Sequence, residues 1–218
     1  MTGGSNRLIS SLVEDLEPIR LLPRLRLAYG LILTLWAGLL GLVLWMRPGE
    51  PGLASLFTNR IYFGSFVGLL LAALGGTGSA LAAGVPGRER LEVGGMGISI
   101  VGLLIAIVTC LIGMYEVGAA GIPSPEGANA MCFRHSALMS LLPAGLILGF
   151  LFRGWTFHPV RAASLALLGS GALGAMIVHM SCDVLTPRHM LLSHLSLPIV
   201  LVVLGIYPLA VIFRRLRR

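Results

Sequence analysis

Six long stretches of this chain carry almost no charge: residues 27–46, 62–85, 95–117, 136–152, 162–181 and 191–213. A helix crossing a hydrocarbon layer about 30 Å thick needs roughly 20 mainly apolar residues, because in lipid every backbone polar group has to be satisfied within the segment itself. Each stretch is long enough, and the shortest, 136–152, is framed by Arg134 and Arg153. Strands of a membrane barrel alternate over about 10 residues, so continuous runs of this length exclude a barrel. The predicted fold is all-α, a polytopic membrane protein built as a bundle of six transmembrane helices. With 56% hydrophobic residues, 11% charged residues and a mean hydropathy of +0.90, the chain lacks the polar surface of a soluble domain. The first run is too long for the apolar core of a signal peptide and follows 26 polar and mixed residues, so no cleavage is expected.

Arginine sets the orientation, since all 16 basic residues are arginine. Placing the N-terminus inside puts 12 of them (7, 20, 24, 26, 88, 90, 153, 161, 214, 215, 217 and 218) on the cytoplasmic side and leaves four (47, 60, 134 and 188) outside. That asymmetry follows the positive-inside rule, and it accounts for the pI of 10.4 through contact with anionic headgroups rather than nucleic acid. Both termini are then expected in the cytoplasm, with the lipid bilayer as a constant partner.

The spans hold little that could move an ion or solute. The nine carboxylates, at 14, 15, 17, 50, 89, 92, 116, 126 and 183, all fall in loops, tails or span ends, whereas transporters and pumps need ionisable groups at mid-membrane depth. No Cys-x-x-Cys, Ser-His-Asp or paired-carboxylate pattern occurs in the loops, so no enzymatic activity is expected. Small residues are frequent instead. Gly64 and Gly68, Gly145 and Gly149, and the cluster Gly75, Gly76 and Gly78 predict close helix packing, while Pro143, Pro198 and Pro208 predict kinks. Cys110, inside the third span, reads as a small packing residue.

Ahead of the first span, Leu8, Ile9, Leu12, Val13 and Leu16 recur at helical spacing, with Ser5 or Asn6 able to cap the start and Pro18 to end it. This predicts a short cytoplasmic amphipathic helix within residues 1–26, followed by a transmembrane domain over 27–218. Three turns are marginal alone in water, so the stripe needs a partner: the membrane surface, the inner ends of the bundle, or a groove in a soluble protein.

On the outward side, Cys132 and His135 precede the fourth span and His179 and Cys182 end the fifth. Two chemistries fit. Outward thiols in an oxidising space would pair as a Cys132–Cys182 disulfide. Alternatively, Cys132, His135, His179 and Cys182 make a ligand set for Zn²⁺ or another thiophilic metal ion. His189 and His194 read as hydrogen-bonded packing residues.

Several of these stretches together, "LISSLVEDLEPIRLLP" before the first span, a cysteine ahead of "LLPAGLILGFLFRG", and "HMSCDV", "SHLSLPIVLVVLG" and "FRRLRR" at the end, resemble the NrsF family of membrane anti-sigma factors (negative regulator of sigma F). The chain departs from that pattern at Ser193, where a tryptophan would be expected before His194, and in lacking an aromatic at its end. The resemblance implies a multi-pass protein of the bacterial inner membrane, without catalytic activity or resident cofactor. It implies an extracytoplasmic-function sigma factor as partner, held by Leu8, Leu12, Val13, Asp15, Leu16, Pro18 and Ile19, and stress sensing through Cys132 and Cys182. The alternative expectation is a membrane redox or metal-binding protein that uses the outer Cys/His cluster directly.

Overall fold

The computed structural model describes residues 23–46, 51–117, 127–154 and 156–215, and these are almost entirely helical. The helices are α1 (Leu25–Met46), α2 (Pro51–Thr58), α3 (Arg60–Ala83), α4 (Glu89–Val117), α5 (Ala128–Arg153), α6 (Pro159–Met180) and α7 (Pro187–Arg215). All but the short α2 are long and apolar enough to cross a membrane, and they correspond one to one with the six apolar stretches. The predicted head helix and the partner-binding residues 8–19 lie outside the described residues.

Local chemistry explains the boundaries. The Asn59 side chain caps α3 by accepting from the amides of Ile61 and Tyr62 at 3.0 and 3.1 Å. Thr186 caps α7, and Pro159 and Pro187 occupy opening positions where the missing N–H costs nothing. Glu89 and Glu92 sit in the first turn of α4, where the helix dipole favours them. Helix α5 begins at Ala128, eight residues before the apolar stretch, after Gly127 at φ +76°. Arg134 and His135 are exposed on its surface, so their polarity limits the apolar run without ending the helix.

Helix α6 is the axis of the bundle: 83% of its apolar window is buried, against 67% for α3 and 6% for α1. It packs on α3, α5 and α7, and α4 lies against α3. Glycine permits the closest approaches. A Cβ on Gly102 of α4 would lie 2.5 Å from the Ala72 amide nitrogen and 2.6 Å from the Gly68 carbonyl oxygen of α3, and one on Gly76 would lie 2.9 Å from the Gly169 backbone of α6. Backbones at that distance gain dispersion contacts, the main packing force available between helices in lipid. The Gly145 and Gly149 pair behaves differently. Nothing lies within 4 Å of a Cβ at either position, and both glycines line an open groove beside α1 with Leu27, Leu31 and Phe152.

Helix α1 is therefore peripheral. Ala28 and Ile32 are its buried residues, and it is tied to the bundle by Tyr29 Oη donating to the Leu74 carbonyl (3.1 Å) and Trp36 Nε1 donating to the Leu173 carbonyl (2.9 Å). At the end of the bundle that carries the α3–α4 and α5–α6 connections, Arg161 of α6 pairs with the buried Glu92 of α4, whose carbonyl accepts from Ser79 of α3. Removing one partner of a buried pair strands the other charge away from water, whereas removing both does not. Arg161→Leu is accordingly expected to lower the melting temperature in detergent more than the double change Glu92→Leu with Arg161→Leu. Equal losses would show that Glu92 is not stranded when its partner is removed.

Candidate functional site

At the opposite end, the start of α5, the α6–α7 connection and the start of α7 meet around a buried polar cluster. Asn129 and Cys132 come from the first two turns of α5, Cys182 from just beyond α6, and His189, Ser193 and His194 from the first turns of α7. Residues 190–195 of α7 form a π-helical segment in which the Ser196 amide bonds to the Leu191 carbonyl, five residues back. A sequence cause lies at Pro198, which lacks the N–H that would bond the His194 carbonyl and crowds that carbonyl with its ring. The consequence is positional. Residues five apart point about 140° apart around an α-helix, but the wider π turn brings them toward one face, and π segments are frequent at functional sites. His189 and His194 are five apart, and their ring centroids are 5.3 Å apart.

The sulfur atoms of Cys132 and Cys182 are 3.7 Å apart, and both are free thiols. Cys182 Sγ is also 3.3 Å from His189 Nε2 and 3.8 Å from the Val184 carbonyl. His189 Nδ1 is 2.7 Å from Asn129 Oδ1, which also accepts from Ser193 Oγ at 3.1 Å. With an acceptor at Nδ1, the ring carries its proton there and turns the Nε2 lone pair toward the thiols. The hydrogen bond to Cys132 and burial hold the Cys182 thiol well above its ordinary range. His194 is fully buried, and neither of its ring nitrogens has a hydrogen-bond partner among the described residues.

One ligand atom from each of Cys132, Cys182, His189 and His194 lies within 4.8 Å of all the others. The structure thus brings the two sequence-predicted cysteines together but surrounds them with a different pair of histidines. His135 is exposed on α5. His179 is buried deeper, stacked on Tyr62 at 4.3 Å with its Nε2 3.2 Å from Ser65 Oγ, while Tyr62 Oη donates to the His179 carbonyl at 2.5 Å. It touches the cluster only edge-on through His194, at 5.4 Å between ring centroids. Three-residue spacing drew attention to His135 and His179. The convergence of His189 and His194 depends on a π turn, for which Pro198 four residues after His194 is the sequence signal, and Asn129 reaches His189 only through the packing of α5 on α7.

Chemically, the arrangement offers a vicinal dithiol that two-electron oxidation would close, and a convergent set of soft and borderline ligands. At this end Arg60 pairs with Glu116 at 2.7 Å, an exposed contact that links the start of α3 to the end of α4.

Comparison with known families gives one assignment: the sequence model of the family described as NrsF, negative regulator of sigma F, matches residues 12–215. No curated protein and no solved structure matches the chain.

Proposed function

The chain belongs to the NrsF family of negative regulators of sigma F, and from that membership we propose that it is a membrane anti-sigma factor of the bacterial inner membrane. Residues 1–26 face the cytoplasm and hold an extracytoplasmic-function sigma factor through the stripe containing Leu8, Leu12, Val13, Leu16 and Ile19, with Asp15 and Pro18 fixing its polar edge and its end. The Cys132–Cys182 pair lies on the outer side and is the input.

The observation that carries this reading is the family match, which spans both the transmembrane bundle and part of the head. One contact of α1 is consistent with coupling between input and output. Helix α1 follows the head in the sequence, is the least buried span, and donates a hydrogen bond from Trp36 to the carbonyl of Leu173 in α6, the helix that ends next to Cys182. A shift at the end of α6 would reach α1 through this bond.

Magnitudes limit what the input has to do. Moving the sigma factor from almost fully held to almost fully free takes about 5.5 kcal/mol of differential binding. A cross-link favouring one state supplies about 2–4 kcal/mol, enough to tip a balanced equilibrium but not one poised that far. Closing the disulfide releases two electrons and two protons from the dithiol to a thiol oxidant of the surrounding medium.

Purification of the intact protein from unstressed membranes tests the output side. The expected result is a sigma factor retained in about one-to-one amount and lost when residues 1–26 are removed. Absence of any sigma factor, with sigma-dependent transcription unchanged by deleting the protein, would overturn the anti-sigma reading. On the input side, an impermeant thiol reagent applied to whole cells is expected to reach Cys132 and not Cys110. Labelling only after the membrane is breached would place the cluster inside and reverse the topology.

A further inference from the structure

We propose that Cys132, Cys182, His189 and His194 form a tetrahedral binding site for a closed-shell thiophilic divalent cation such as Zn²⁺. The proposal deepens the reading of the thiol pair as an input by naming its ligand. It rests on the anti-sigma reading only where the ion is taken as the signal.

The geometry argues first. Two thiolates about 2.3 Å from a metal at a tetrahedral angle lie about 3.8 Å apart, and a thiolate and an imidazole nitrogen lie about 3.6 Å apart. The observed separations are 3.7 Å for Cys132 to Cys182 and 3.3 Å for Cys182 to His189. A disulfide requires sulfurs about 2.05 Å apart, so the present spacing is nearer to that of a metal site than to that of a bond. All four ligand atoms lie within 4.8 Å of one another, and closing the widest gap takes a movement of about 1 Å.

The second argument is independent of the sulfurs. A fully buried imidazole with both nitrogens unpartnered is costly, since burial without a hydrogen bond forfeits hydration with nothing in return. Among the described residues His194 is such a residue, 0% exposed, beside two thiols, and a cation at the cluster takes one of its nitrogens as a ligand. The π segment that turns His194 toward His189 breaks the regular hydrogen bonding of α7, and the convergence of the two rings is what it achieves.

The outer shell is also in place. Asn129 Oδ1 accepts from Nδ1 of His189 and from Ser193, which fixes the tautomer that presents Nε2 as a ligand, as the partner of a metal-bound histidine does. Charge balances as well. The divalent ion displaces one proton from each thiol, two protons leave to solvent, and the complex of M²⁺ with two thiolates and two neutral imidazoles is uncharged, which suits a buried position at the end of a membrane bundle. The partly exposed Cys132 gives the ion its approach.

The test uses the full-length protein, reduced and metal-free, in nanodiscs, with Co²⁺ as the probe. The expected result is one Co²⁺ per chain with thiolate-to-cobalt charge-transfer and tetrahedral ligand-field absorption, displaced by Zn²⁺. His194→Gln and Cys132→Ser are each expected to weaken binding by about tenfold or more, and His135→Gln and Cys110→Ser to leave it unchanged. Should a variant misfold by circular dichroism, protection decides instead: Zn²⁺ is expected to shield Cys132 and Cys182 of the unaltered protein from alkylation, and Asn129→Ala to weaken that shielding. Absence of stoichiometric binding, thiolate absorption indifferent to His189 and His194, or loss on His135→Gln would overturn the proposal. Loss of sigma-factor capture with Co²⁺ binding intact would overturn the anti-sigma reading and leave this one standing.

Discussion

Replacing Leu12 and Leu16 together by aspartate is expected to abolish retention of the sigma factor while leaving the transmembrane bundle folded. The two leucines are four apart and share one face of the predicted head helix with Leu8 and Val13. A leucine moved from water into an apolar groove contributes about 1.5–3 kcal/mol, so losing two forfeits about 3–6 kcal/mol before the cost of burying a carboxylate is added. That corresponds to a fall in affinity of about 10²- to 10⁴-fold, enough to free the sigma factor without any signal. The measurement is the dissociation constant of the sigma factor for the intact protein in nanodiscs, with circular dichroism to confirm that the spans are unchanged. A variant that binds within about threefold of the parent would show that the stripe is not the contact surface.

The second large effect is expected in the bundle. Gly102→Leu should destroy the contact between α3 and α4, because a Cβ there would meet the Ala72 amide nitrogen at 2.5 Å and the Gly68 carbonyl oxygen at 2.6 Å, and backbone atoms cannot rotate away. Overpacking a core costs about 1–3 kcal/mol when side chains can adjust, and more is expected where two backbones must separate. The same substitution at Gly145 has open space around it and is expected to be nearly neutral. Thermal melting of both variants in the same detergent gives the comparison. Similar losses for Gly102→Leu and Gly145→Leu would show that close backbone approach is not what holds α3 to α4. The contrast also bears on signalling, since Gly145 borders the groove beside α1, and a leucine there that altered sigma-factor release without altering stability would implicate that helix.

Gly68, which packs against Gly102, and Gly145 look alike in the sequence. Gly68 and Gly145 both begin or belong to a four-residue glycine spacing, and nothing local distinguishes them. In the bundle, Gly68 lies against Gly102 and Ala106, whereas Gly145 faces a groove. Helix boundaries show a related effect. Arg134 and His135 interrupt the apolar run and suggested a span from residue 136, yet α5 starts at Ala128, so Cys132 is a helical residue with a fixed direction. Polarity marks where lipid contact ends, while helix length is set by capping groups such as Gly127.

The sequence by itself determined the class of the protein. Six long apolar stretches restrict the chain to a bundle of membrane-spanning helices, because lipid leaves the backbone no other way to satisfy its hydrogen bonds. It also singled out Cys132 and Cys182, each three residues from a histidine at the edge of an apolar stretch. Which histidines join them was decided by tertiary structure alone. His135 and His179 have the better spacing from the cysteines, but one faces outward and the other stacks on Tyr62, while a π turn ahead of Pro198 swings His189 and His194 onto the sulfurs. Spacing along one helix fixes which residues share its face. The rotation of that helix against its neighbours depends on packing summed over the whole bundle, which no short stretch of sequence contains.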